Sequence, residues 1–508
     1  LIKPGDTGSN NQSTLDGAIQ DHQQGNIQAA LTGYEETLKA EPQNALALRL
    51  GGIAARDVGN LGRSLELLET ASKLPAPNPD ALCELALTQM VAGNLVEASS
   101  IFRETIGKFP TFPKALANFG ALLQYRGHVG EAMDVYESYL NFEPEDLEIR
   151  CNLAKTLVDL GQNEKAVQEA EDTCRQSHDH PRGLGNLGGV LLDLGDLERA
   201  EHVLTRACDD KRSDELPFVN LGSLYLSTDR PGLASKVLLR AVEINPNHAQ
   251  ATADYIIALA ASDDRHRGIA IAEQFLRQHP GERSVLAAYA YVLGMEDSPS
   301  QSGRLLDYDS LIQEITLDAG LPHDRIASFV STHPSLNQNP VSKATYGGAQ
   351  TGEFDFDESA EIEALSAALV DAVNGQIGKL IMSDADDLSL MRSPPRNWTL
   401  RLWGTVLQRD GRQTPHIHPL GWMSGVYYAK VPNDVVGDPG ENGWLEFGPP
   451  PPKYASIHPR TTRTIEPALG KLVLFPSYFY HSTKALQSDD ERVSLAFDVV
   501  PSFEQLAL

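Results

Sequence analysis

One spacing constrains this chain more than any other feature. The dipeptides Gly25-Asn26, Gly59-Asn60, Gly93-Asn94, Gly127-His128, Gly161-Gln162 and Gly195-Asp196 each stand 34 residues beyond the one before, and Asp229 and Asp263 continue the register. Five residues after each turn comes a small residue: Ala30, Ser64, Ala98, Ala132, Ala166, Ala200, Ala234, then Gly268. Pro42, Pro110, Pro144, Pro246 and Pro280 recur 17 residues after their turns. A Gly in the left-handed region ends one helix, a small side chain lets the next helix cross it closely, and Pro closes the pair. The period therefore predicts a solenoid of helical hairpins, about eight copies from 11 to 282 with a capping helix near 283–296. Repeats five and six lose the Pro, and the eighth is irregular at "DDRHRG".

The pattern resembles the tetratricopeptide repeat. That resemblance implies an α-solenoid whose concave groove binds a peptide or protein partner. One decoy lies inside it. "GLGNLG", Gly183 to Gly188, has the G-x-G-x-x-G form of a dinucleotide-binding turn, which needs a strand before it and a helix after it. Here Leu187-Gly188 falls at the Leu-Gly position of a repeat helix, as Leu221-Gly222 does one repeat on.

Charge and cysteines narrow the function classes. A formal net charge of −27 argues against nucleic-acid binding, which needs clustered Lys and Arg. No run of 18 apolar residues occurs, so no membrane span is expected. Cys83, Cys151, Cys174 and Cys208 form no C-x-x-C pair and read as reduced packing residues. With no basic-plus-apolar leader, a cytoplasmic location is expected, and the N-x-[ST] matches at Asn11 and Asn397 carry no weight. The first residue is Leu, which leaves a trimmed upstream segment open.

After about residue 297 the period stops. Three regions are expected: a repeat solenoid over 11–296, a connecting segment over 297–340, and a β domain over 341–508. "DSPSQSG" and "HPSLNQNP" mark the connection as breaker-rich around helices near 304–316 and 323–331, and 358–381 has helical spacing. The acidic "FDFDES" and "SDADD" read as solvated turns, and "GPPPPKY" as a stiff surface loop. From 397 onward come "NWTLRLWGTVLQ", "GWMSGVYYAKV", "GWLEFG", "GKLVLF" and "RVSLAFDVV", short runs rich in β-branched and aromatic residues. They predict a jelly-roll or double-stranded β-helix with flanking helices.

The chemistry sits in "QTPHIHPLGWMSGVYYAKVP". In a strand, residues i and i+2 share a face, so His416 and His418 would project together and reach one metal ion. His481 follows an apolar strand, with Arg492 and Ser494 eleven and thirteen residues further on. His458, in a Pro/Thr/Arg loop, is left out.

That order resembles non-haem iron oxygenases that use 2-oxoglutarate, which read H-x-[DE], then His, then Arg. From about 334 to 502 the chain resembles a bacterial family of 2-oxoglutarate/Fe(II) oxygenases that carry tetratricopeptide repeats in front. The segments are "HPSLNQNPVSKATYGGAQTGEF", "NWTLRLWG", "HIHPLGWMSGVYYAKVP", "GWLEFGPP" and "GKLVLFPSYFYHSTKALQSDDERVSLAFDVVP". The architecture also looks like that of aspartyl/asparaginyl β-hydroxylases, which act on protein side chains. The resemblance implies Fe(II), for which His416, His418 and His481 are the candidate ligands. It also implies 2-oxoglutarate held by Arg492 and Ser494 with Tyr428 or Arg401.

His418 stands where the family pattern has a carboxylate. Three arrangements are open: His418 ligates, His418 stands off the metal, or Glu446 in "GWLEFG" completes the set. The expected activity is hydroxylation of a peptide or protein presented by the repeats. The alternatives are a small-molecule oxygenase whose repeats serve assembly, and a non-catalytic or zinc-binding scaffold.

Overall fold

The computed structural model describes residues 6–76, 78–295, 305–317, 320–340, 343–382, 394–395, 397–454 and 461–501. Helices α1 (Asp6–Gln23) to α17 (Arg283–Leu293) follow one another as hairpins. The turn glycines Gly25, Gly59, Gly93, Gly127, Gly161 and Gly195 all have φ between 69° and 85°. Asp229 and Asp263, at the same register, adopt φ 54° and 63°. The small residues from Ala30 to Ala234 are fully buried where helices cross. The decoy glycines lie inside α11 (Pro181–Asp193), where a Cβ on Gly188 would meet Leu204 at 2.4 Å. The expected cap is α17. No helix among the described residues is long and apolar enough to cross a membrane.

The C-terminal region is a sandwich of antiparallel sheets. The larger has the order β1 (Gln313–Thr316), β8 (Lys471–Pro476), β5 (Met423–Lys430), β10 (Arg492–Pro501), β4 (Trp398–Gln413), β3 (Thr345–Glu353), β2 (Asn337–Gln338). The smaller has the order β7 (Arg463–Ile465), β6 (Leu445–Phe447), β9 (His481–Thr483). Helices α19 (His323–Thr332) and α20 (Ala360–Met382) flank the larger sheet, and Ile326, Val330, Ile362 and Leu369 pack into its core.

Several local expectations change. Of the helix expected over 304–316, the described residues hold a helical Leu305 and α18 (Tyr308–Leu311), and the chain then enters β1, which pairs with the edge of β8. A four-residue strand alternating half-buried and exposed has too little local signal to announce itself, and pairing decides it. The acidic "FDFDES" does turn with Asp357 and Glu358 exposed, but it is not solvated throughout: Asp355 pairs with the buried Arg126 of the repeats, and Glu358 also reaches His333. "GPPPPKY" ends against the solenoid, with Tyr454 buried on Asp254 and Lys453 Nζ 2.9 Å from the same carboxylate. "DSPSQSG", "SDADD" and His458 lie outside the described residues.

The solenoid grips the sandwich at two stations. At one, Glu353 N donates to Arg126 O at 2.9 Å and Asn337 Nδ2 to Asp159 O at 2.8 Å. At the other, Arg283 Nε donates to Gly421 O at 2.9 Å. A single apolar core runs from Ile256 and Tyr291 into Tyr428, Phe447, Phe475 and Tyr480. The cavity that holds the histidines is walled by both regions.

Candidate metal centre

His416 and His418 do not lie in a regular strand. Pro415 and Pro419 bracket them, and prolines remove the N–H groups a ladder needs. His416 makes one isolated bridge with His481, donating N–H to its carbonyl at 3.0 Å and accepting back at 3.1 Å. His418 N donates to Ser477 O at 3.0 Å. The loop thus extends the smaller sheet past β9 and brings the three rings together, with centroids 4.2–5.2 Å apart.

Each ring is fixed through Nδ1. His416 Nδ1 donates to Thr414 O at 2.8 Å, His481 Nδ1 to Phe479 O at 3.0 Å, and His418 Nδ1 to Asp498 Oδ1 at 2.5 Å. With the proton on Nδ1, every Nε2 keeps its lone pair. One ligand atom from each ring lies within 4.8 Å of the others. His416 Nε2 and His418 Nε2 are 3.2 Å apart. Two nitrogens at bonds of about 2.0–2.1 Å to one ion stand roughly 3.0–3.4 Å apart in octahedral or tetrahedral geometry. Two lone pairs that close repel unless a cation lies between them, so the donor set fits a divalent metal. Burial, reinforced by neighbouring imidazoles, lowers the pKa of His416 to about 3 and that of His481 well below the usual range. Both rings therefore stay neutral, as ligation requires.

Along β10, alternation places Arg492, Ser494, Ala496 and Asp498 on the face that lines this cavity. Arg492 is 1 % exposed. It donates to Gly443 O, lies 5.5 Å over the Tyr428 ring, and its Nε has no partner. Among the described residues no carboxylate pairs with it. Burial lowers its pKa. A buried, uncompensated guanidinium is costly, and a bound anion would offset that cost. Ser494 is buried directly opposite Tyr428 in the strand register, and Tyr428 is buried too.

Arg401 lines the same cavity but is engaged by Glu353 and Tyr125, and its backbone pairs with Asp498, six residues along β10 from Arg492, about 20 Å at the rise of a strand. Glu446 lies between Leu445 and Phe447, whose side chains are buried, and accepts from Ser482 Oγ at 3.3 Å; it is outside the histidine cluster. Asp498 was missed. Its even spacing from Arg492 and Ser494 on a strand was the available signal.

Residues 401–498, which begin at Arg401 and end at Asp498, match the family described as "Putative 2OG-Fe(II) oxygenase". Residues 151–215 and 218–248 match tetratricopeptide repeat families. The chain joins tetratricopeptide repeats to a segment that matches the 2OG-Fe(II) oxygenase model. No curated protein matches it. Among solved structures it is similar to a tetratricopeptide repeat protein from Parabacteroides merdae, with 16% identity, 49% of this chain and 99% of that one covered, and a TM-score of 0.41. It is also similar to the MamA protein, with 18% identity, 34% of this chain and 94% of that one covered, and a TM-score of 0.31. The segment matched by that model contains all three clustered histidines and the buried Arg492.

Proposed function

We propose that this protein is an Fe(II)/2-oxoglutarate-dependent dioxygenase whose metal is held by His416, His418 and His481. The observation that carries the reading is the convergence of three imidazoles in one cavity with a buried arginine that no carboxylate pairs. Fe(II) bound there would couple oxidative decarboxylation of 2-oxoglutarate, by O2, to succinate and CO2 with insertion of the second oxygen atom into a substrate C–H bond. Arg492 offers its guanidinium to the distal carboxylate of the keto acid, helped by the Ser494 hydroxyl and the Tyr428 phenol. Arg401 is left out of this set because Glu353 and Tyr125 already hold it.

A peptide or protein substrate is supported by the walls of the cavity. Gln124 and Tyr125 of α7 (Pro113–Tyr125), Asn152 and Lys155 of α9 (Leu147–Asp159), and Asp193 of α11 line the cavity that also holds the histidines. Its volume of about 1170 Å³ exceeds the ~300–1,000 Å³ that suits small ligands. Three imidazoles also suit zinc. The unpaired Arg492 favours the keto-acid reading.

The test is an anaerobic titration of metal-free protein with Fe(II), then 2-oxoglutarate, following the visible metal-to-keto-acid charge-transfer band. A band that disappears in Arg492→Ala and His418→Ala supports the reading. Metal binding without a band leaves the zinc scaffold. Succinate release stimulated by peptides but not by small metabolites supports the substrate class, and the reverse result overturns it.

A further inference from the structure

The family pattern has a carboxylate where this chain has His418, and the structure contains a carboxylate one bond network further out. Asp498 Oδ1 accepts from His418 Nδ1 at 2.5 Å and from Ser424 Oγ at 2.6 Å. Ser424 Oγ in turn lies 2.7 Å from Ser477 Oγ. Asp498 is 6 % exposed, and Ser424 and Ser477 are fully buried. The contact has been given room: a Cβ on Gly421 would meet Ser477 Oγ at 2.4 Å and Asp498 Oδ1 at 3.2 Å. The other two histidines lack this arrangement, since their Nδ1 atoms face the neutral carbonyls of Thr414 and Phe479. One imidazole of the three is therefore backed by a full negative charge.

We propose that Asp498 is the positioning residue of the metal centre, fixing the His418 ring and supplying through it the negative charge that a directly ligating carboxylate would otherwise bring. The proposal rests on reading the three histidines as metal ligands. A carboxylate on Nδ1 sets the tautomer, aims Nε2 and strengthens the imidazole as a donor. A neutral three-histidine set leaves the divalent charge of the ion unreduced. Delivering a carboxylate through a ring restores part of that reduction while keeping the carboxylate off the metal, so that no coordination position is taken up by a chelating oxygen. Asp498 lies on the same face of β10 as Arg492 and Ser494. One strand thus carries the anion anchor at one end and the metal's counter-charge at the other.

The experiment uses the full chain, stripped of metal, with Co(II) as the probe under anaerobic conditions. Affinity is read by titration and the centre by its visible ligand-field spectrum. Asp498→Asn keeps the shape and an acceptor for Nδ1 but removes the charge, whereas Asp498→Ala removes both. Ser424→Ala removes the neighbouring donor and leaves the His418 contact. Asp498→Ala is expected to bind Co(II) 10–100-fold more weakly. Asp498→Asn is expected to weaken binding by about tenfold with a shifted ligand-field band, at unchanged far-UV dichroism. Ser424→Ala is expected to stay within a few-fold of the parent. If the parent binds Co(II) and Asp498→Asn binds within twofold with an unchanged spectrum, the proposal is overturned while the metal reading stands. If the parent binds no Co(II), the metal reading fails and takes the proposal with it.

Discussion

Arg401 lies over Tyr125, its guanidinium carbon 4.1 Å from the ring centre, and Nη1 donates to the phenol oxygen at 2.6 Å. Tyr125 ends α7 of the solenoid and Arg401 belongs to β4, so the contact ties the repeats to the sheet that carries the site. Glu353 sits between two arginines, bound to Arg401 and 3.8 Å from Arg126 Nε.

Glu353→Ala should therefore be strongly destabilising. It would strip the buried Arg401 of its ion-pair partner, while Arg126 keeps Asp355, and breaking a buried ion pair from one side costs about 3–5 kcal/mol. Tyr125→Ala removes a cation–π contact and one hydrogen bond, with an expected cost of about 1–3 kcal/mol. Urea unfolding of each variant checks both the values and their order. Equal, negligible losses would mean that the junction contributes nothing.

The same junction should respond to acid through His128. Its Nε2–H donates to Glu353 O at 3.2 Å, and burial, with Arg126 nearby, lowers its pKa below the usual 6.5. Below pH 6.5 the unfolded chain takes up a proton that the folded chain refuses, so stability falls as pH drops from 7 towards the depressed pKa. His128→Asn should flatten that part of the stability–pH curve relative to the parent. Parallel curves from pH 7 to 5 would refute the assignment.

Arg492 should trade stability for binding. Its charge is buried without a carboxylate, so Arg492→Met replaces a costly group by an apolar one of similar length. The variant should unfold at the same or a higher temperature than the ligand-free parent, yet lose 2-oxoglutarate affinity by at least about 100-fold, as expected for a charge-assisted carboxylate contact. Calorimetry of both proteins, with and without the keto acid, measures the two effects separately. A variant that binds the keto acid normally would remove Arg492 from the site.

What the sequence disclosed follows physical locality. The solenoid was readable because each turn, from Gly25 to Asp263, repeats a local backbone demand at a fixed interval. His416 and His418 were readable from their spacing of two, although they sit in a proline-bracketed loop and not in the strand expected, and Arg492 with Ser494 from strand alternation along β10. The strand pairing of β1 and the junction of Arg126 with Asp355 were hidden, since their partners lie more than 150 residues away and carry no local signature. Asp498 is the instructive case: alternation along β10 placed it on the right face, but only the fold puts His418 against it.

The repeats contain two kinds of glycine. Gly188 is helical, and a Cβ there would sit 2.4 Å from Leu204 Cγ, in the packed crossing of α11 with α12 (Leu197–Cys208). Gly188→Ala should cost about 1–3 kcal/mol by overpacking, although Ala is the better helix former. Gly195 faces open space but holds φ at 78°, so Gly195→Ala should cost about 1–2 kcal/mol by backbone strain alone. Adding Leu204→Ala to each variant tells the mechanisms apart. The second change should recover part of the loss in Gly188→Ala and simply add its own cost to Gly195→Ala. Identical behaviour of the two double variants would mean that Gly188 is retained for some reason other than this crossing.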